Sequence, residues 1–270
     1  MASFHHGLAW QIQSPNTTNT CYLIGSMHAK TEVAYTYFDS FKGLIDKSHT
    51  LALEANIHEG DPAWIQEQLL LPDGQHLRDL MKSKKYEKAR RMVKKAFQLD
   101  LDDLGNHWPM MLTQSVQAQV SEETMPQALD EAMLMYAQQH GKTLVGIESY
   151  QDQIGMIRKI PIKDQLEMLK MATESVSRYR KQVKKLERGY QTQDIAYLYQ
   201  TAKTQLGGTR KWLLNDRNHN MADRIAALSL QNDTTFVVGA AHLAGKQGVL
   251  RLLKQKGLKL IPLDLTKKID

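Results

Sequence analysis

Two short apolar runs at opposite ends of this chain finish in the same way. "YLIGSMHAK" covers residues 22–30 and "FVVGAAHLAG" covers residues 236–245, and each run closes on Gly-x-x-His. Short apolar runs bounded by small residues read as buried strands. A glycine at the end of such a strand permits a sharp turn or the close approach of another group. A histidine three residues later then sits at the mouth of the following loop or helix. Open α/β sheets bind their ligands at the carboxyl ends of the strands. A chain that writes this pattern twice is therefore constrained to bring both ends into one sheet if the pattern is to be used.

The remaining segments supply the other parts of such a sheet. "LAWQI" (8–12) and "CYLIGSM" (21–27) read as strands joined by the turn-rich "SPNTTN". From Thr31 a helix is expected, with Ala34, Phe38, Phe41 and Ile45 at helical spacing and Glu32 in its favourable first turn. "TLALEAN" (50–56), "KTLVGIES" (142–149), "TTFVVGA" (234–240) and "LKLIPLDL" (258–265) read as further strands. "GVLRLLKQKG" reads as a short helix closed by Gly257. Between these strands the pattern is helical, with Pro and Gly at the breaks. The sequence thus predicts an α/β (α+β) fold: a central mixed sheet built from two pseudo-repeated halves and flanked by helices. Large helical insertions fall at about 60–140 and 151–231. No low-complexity linker interrupts the chain, so a single domain over 1–270 is expected.

Composition narrows the functional classes. Hydrophobic residues make up 42% and charged residues 24% of the 270, ordinary for a soluble globular protein. No apolar run approaches the roughly 20 residues that cross a bilayer, so no transmembrane segment is expected. The opening "MASFHHGLAWQIQ" shows no basic segment followed by an apolar one, so no signal peptide is expected within it. The single cysteine, Cys21, excludes an internal disulfide. The net charge of +6 is concentrated in "KSKKYEKARRMVKK" (82–95) and "RYRKQVKKLER" (178–188). Between these charges Met81, Ala89, Met92, Val93, Ala96 and Phe97 make an apolar helical stripe without aromatic stacking platforms. Such stretches read either as a surface for nucleic acid or an anionic membrane or as a solvated helix face; the solvated face is the simpler reading, and no nucleic-acid partner is expected.

The chemistry-bearing residues are few. Glu54 interrupts "LALEAN" and Glu148 interrupts "LVGIES". A carboxylate within a buried strand is costly unless it is paired with a cation or bound to a metal. An Arg partner would explain either one without any active site. With His28 and His242, however, the two glutamates make a donor set for a divalent zinc-, manganese- or cobalt-like ion, whose bound water reaches a pKa near neutrality. His28, His242, Glu54 and Glu148 are the candidate metal ligands, with one glutamate left to act as base. A third element, "WLLNDRNHNMADRIAAL" (212–228), carries Leu213, Leu214, Met221, Ile225 and Leu228 at helical spacing. Asp216, Arg217, Asn218 and Asn220 crowd its middle, where Asp and Asn are poor helix formers. Arg217 is a candidate to neutralise an oxyanion or a carboxylate, and Asn218 to orient it or to bind a substrate amide. The plain alternative is Arg217 paired with Asp216 or Asp223. His5 and His6 are adjacent and suited to adventitious metal. His58, His76, His107 and His140 have no partner at ligand spacing and read as surface or core residues.

"YLIGSMHA", "LALEAN", "GIESYQDQ", "NDRNHNMA" and "FVVGAAHLAGKQGVLRLLKQKGLKLIPL", in this order, resemble the TraB/GumN family, a TIKI-like metalloprotease superfamily with erythromycin esterase and ChaN haem-uptake proteins as distant kin. The resemblance covers nearly the whole chain and is most specific at its C-terminal block. It implies a metal-dependent hydrolase acting on peptide or protein substrates. It also implies that His28, Glu54, Glu148 and His242 form the metal-dependent centre, with Arg217 and Asn218 as companions. The second motif reads "GAAH" where many relatives carry Gly before the His, and Ala241 is only slightly larger. Many bacterial members of the family are exported, with a cleaved leader just before an "LLWxI"-like strand, so a location in the bacterial envelope is expected. The alternative function is a non-catalytic binding protein for haem, a metal complex or a peptide.

Overall fold

The computed structural model describes residues 4–55, 61–118, 123–174 and 176–267. Six strands form one sheet in the order β4-β3-β5-β2-β1-β6. They are β1 (Ala9–Gln13), β2 (Thr20–Ser26), β3 (Thr50–Ala55), β4 (Thr143–Glu148), β5 (Thr234–Gly239) and β6 (Lys259–Pro262). The four strands β4, β3, β5 and β2 run parallel, while β1 is antiparallel to both β2 and β6. This is the mixed-sheet α/β fold that the alternation of apolar runs and helical stretches predicts. Parallel strands are covered on both faces and become near-continuous apolar runs. β5, "TTFVVG", is buried over its first five residues and sits near the sheet's centre.

The two strands that carry Gly-x-x-His are neighbours. β2 and β5 pair in parallel register, with Gly25 opposite Val238 and Ser26 opposite Gly239. The strands carrying glutamate are neighbours as well, with Ala55 opposite Glu148. β3 joins the two pairs, because Leu53 lies opposite Val237 of β5. The carboxyl ends of all four strands therefore form one edge.

The chain divides into two compact units. The sheet unit comprises Met1–Ile57, Glu123–Ser149 and Lys185–Asp270, and the second unit comprises His58–Glu122 and Tyr150–Lys184. The helices Leu129–Gln139 and Arg217–Leu228 thus belong with the sheet although they lie in stretches that read as insertions. In the sheet unit the helix Phe38–Asp46 packs on Leu129–Gln139, and Arg217–Leu228 packs on Val249–Gln255. The core is the apolar set from Leu8 to Leu265, including Phe41, Tyr190 and Phe236. In the second unit the helices Ser83–Phe97, Pro109–Ala118 and Ile162–Glu174 enclose a separate apolar cluster of Leu77, Tyr86, Val93, Phe97, Leu101 and Leu169. No helix among the described residues is long and apolar enough to cross a membrane.

Candidate functional site

The glycines of the two motifs are there for close approach rather than for turning. Neither Gly25 nor Gly239 has a positive φ. A Cβ on Gly25 would lie 2.6 Å from Leu243 Cδ1 and 3.2 Å from Ala240 Cα, so β2 needs a bare backbone where the turn after β5 crosses it. A Cβ on Gly239 would lie 3.3 Å from Glu54 Oε1. That oxygen instead accepts the Gly239 N–H at 2.6 Å. After Gly239 the chain enters a single 3-10 turn, Ala240–His242, which tucks the imidazole of His242 inward.

Arg217 closes the two strand glutamates. It opens the helix Arg217–Leu228, directly after a π-helical turn at Lys211–Asp216, a geometry often found at functional sites. Its Nε donates to both oxygens of Glu148 at 3.1 and 2.9 Å, and its Nη2 donates to Glu148 Oε2 at 2.5 Å and to Glu54 Oε2 at 2.7 Å. The side chains of Arg217 and Glu148 are only 15% and 4% exposed, so the pair is largely out of water. Burial works against the charge on Arg217, but the two carboxylates raise its pKa above the ordinary value. Burial likewise works against the charge on Glu54, yet Arg217, His242 and the Gly239 N–H bring its carboxyl down to about 2. The Arg partner, raised from the sequence as the plain explanation for a buried glutamate, accounts for both at once.

His242 is held by an amide. Asn218, fully buried, donates from Nδ2 to the Gln247 carbonyl at 2.7 Å and accepts from His242 Nδ1 at 2.5 Å. The first bond fixes which way the amide faces, so Nδ1 of His242 carries the proton and Nε2 carries a lone pair. Nε2 looks at Glu54 Oε1 across 3.9 Å. Burial, with Arg217 nearby, pushes the His242 imidazole down to about 4, although Glu54 opposes the shift. Asn218 therefore positions His242, with one N–H on the Gln247 carbonyl and its oxygen on the imidazole. Spacing in the sequence could not tell which neighbours its amide would reach.

His28 is held by a carboxylate. Its Nδ1 lies 3.2 Å from Asp130 Oδ2, and Asp130 Oδ1 accepts from the buried Ser26 hydroxyl at 2.5 Å. The Asp130 bond raises the His28 pKa, against the effect of burial, with Glu131 and Glu54 adding to the rise. The imidazole is nevertheless 74% exposed, and its Nε2 has no hydrogen-bond partner among the described residues. The sequence gives no sign of Asp130. It lies in the first turn of the helix Leu129–Gln139, where acidic residues are ordinary. Gln247, whose backbone holds Asn218, is equally silent.

The donor set read from the sequence is thus only partly assembled. Among the described residues no group of three His, Cys, Asp or Glu side chains stands ready to hold a metal ion. Arg217 engages both oxygens of Glu148, the cation pairing that a carboxylate in a buried strand requires. His242 Nε2 and Glu54 Oε1 do fit, since both are acceptors turned toward one gap. His28 Nε2 fits by chemistry, its other nitrogen being anchored as metal-binding imidazoles usually are. Of the other histidines, His76 caps the helix Leu77–Leu80, His107 bonds the Leu104 carbonyl and His140 stacks on Tyr136. His58 lies outside the described residues.

No curated protein and no solved structure matches this chain. The family profile of TraB/PrgY/gumN matches residues 8–262, a span that holds both Gly-x-x-His motifs, both strand glutamates and Arg217, and the chain belongs to that family.

Proposed function

We propose that the chain is a metal-dependent hydrolase of carbonyl bonds, with peptides as its first substrate class. The observation that carries this reading is the gap between His242 Nε2 and Glu54 Oε1. Two acceptors facing each other at 3.9 Å repel unless a proton donor or a cation lies between them. The low basicity of the two groups supports a cation as that partner. With Glu54 at about 2 and His242 at about 4, neither is a strong enough base to take a proton from free water near pH 7. A divalent manganese, cobalt or zinc ion, when bound, would bring the pKa of its water toward neutrality, so that hydroxide could form without a strong protein base. His242, Glu54 and His28 would hold it.

The remaining residues do work that needs no ion. Asn218 fixes the tautomer of His242. Glu148 fixes the plane of Arg217. Arg217 keeps Glu54 charged, and its Nη1, which has no partner among the described residues, can donate to the oxygen of the attacked carbonyl. The 74% exposure of His28 favours a second reading, a binding protein whose open imidazole ligates haem.

The test is peptide-library cleavage by metal-free protein after addition of manganese, cobalt or zinc. Turnover should appear with at least one ion and fall roughly a hundredfold in His242→Ala, with far-ultraviolet circular dichroism unchanged. Metal uptake and cleavage at wild-type level in that variant would refute the assignment. A Soret band on adding haemin, without cleavage by any metal-loaded form, would favour the second reading.

A further inference from the structure

The helix Ser83–Phe97 carries far more positive charge than its fold uses. Seven of its fifteen residues are Lys or Arg, and one, Glu87, is acidic. Its inner side is settled: Tyr86, Val93 and Phe97 are buried in the second unit's apolar cluster. Two of its cations are settled as well. Arg90 pairs with Asp100 at 3.0 Å and Asp102 at 2.6 Å, and Lys94 pairs with Asp100 at 3.0 Å.

Lys84, Lys88, Arg91 and Lys95 are different. All four are exposed, and none forms an ion pair with a described residue. Their spacing puts them on one face, in a straight row about 16 Å long at the helical rise. A solvated helix normally alternates the signs of such neighbours, because like charges three or four residues apart destabilise it. Lys84 also sits in the first turn, where the helix dipole disfavours a cation. The dipole favours only Lys95, in the last turn, so the mutual repulsion along the row is offset at one end alone, at a place where the core asks nothing of it.

We infer that this row is an electrostatic docking face for an anionic phospholipid surface. The chemistry of the row selects that partner over a nucleic acid or an acidic peptide. Three of its four charges are lysines, point charges on flexible stems without the planar fork that reads a defined phosphate or carboxylate. No aromatic ring lies among them to stack on a base, and they stand on a convex helix rather than in a groove. A row of unshaped positive charge fits a flat field of headgroups, which binds basic residues additively and releases them in salt. The inference is independent of the hydrolase reading.

The experiment is co-sedimentation of the full chain with vesicles of phosphatidylglycerol and phosphatidylcholine, beside vesicles of phosphatidylcholine alone. The chain should bind the first and not the second, and added salt should release it. The variant K84Q/K88Q/R91Q/K95Q should lose more than about tenfold in affinity. It should unfold at a temperature equal to or above the wild type, since it relieves repulsion. The variant K211Q/K246Q/K254Q/K259Q removes the same charge from exposed positions elsewhere and should bind as the wild type does. Absence of binding to anionic vesicles, equal loss in the two variants, tighter binding to duplex DNA than to the vesicles, or unfolding of the first variant would each overturn the proposal.

Discussion

Arg217 donates to two carboxylates that would otherwise face each other, largely shielded from water. Removing one partner of a buried charge cluster leaves the others uncompensated, so Arg217→Met should cost about 3–5 kcal/mol in urea unfolding. A cost under about 1 kcal/mol would mean that the cluster is hydrated in solution. His242 gives a second prediction at this scale, for metal-free protein. Its imidazole titrates at about 4 when folded, against the ordinary 6.5. As pH falls below 6.5 the unfolded chain takes up this proton first, so stability falls progressively down to pH about 4 and is flat above 6.5. The difference corresponds to roughly 3 kcal/mol. Glu54, held at about 2, adds a further loss of the same sign at lower pH, between its ordinary value of 4.5 and 2. Urea midpoints measured across this range should show the first fall in the wild type and lack it in His242→Asn.

At the scale of elements, the edge shared by β2, β3, β4 and β5 is made by strand pairing, and the turn Ala240–His242 is seated by Gly25. Gly25→Ala places a methyl into Leu243 and the turn's backbone, so it should displace His242. The expected cost is about 1–3 kcal/mol, with a larger loss of hydrolysis than of stability. Full activity in that variant would show that the turn is free to move. The strands and their motifs were legible in the sequence because period and apolar runs report burial directly. The apolar stripe through Leu213, Leu214, Met221, Ile225 and Leu228 was legible for the same reason, and all five are buried. The π-helical turn in front of Arg217 was not. Its wider hydrogen-bonding pattern leaves no mark on residue spacing.

For the whole molecule, the two apolar clusters share no residue, one lying under the sheet and one among the helices of the second unit. Leu77→Ala opens a cavity in the second cluster and should cost that unit about 2–5 kcal/mol. Hydrogen exchange should then quicken in Ser83–Phe97 and Ile162–Glu174 while β2 and β5 stay protected. Equal loss of protection in both units would mean that they unfold as one.

By itself the sequence determined the α/β class, the strands that end in Gly-x-x-His and the family, because each rests on local patterns of size, polarity and spacing. Only the tertiary structure decided which atoms meet. It gave Glu148 to Arg217, Asn218 to His242 and Asp130 to His28, across 69, 24 and 102 residues of chain. A buried charge or amide must find a partner, but the need is met by whichever group the packing brings within hydrogen-bond reach, and no local pattern names it.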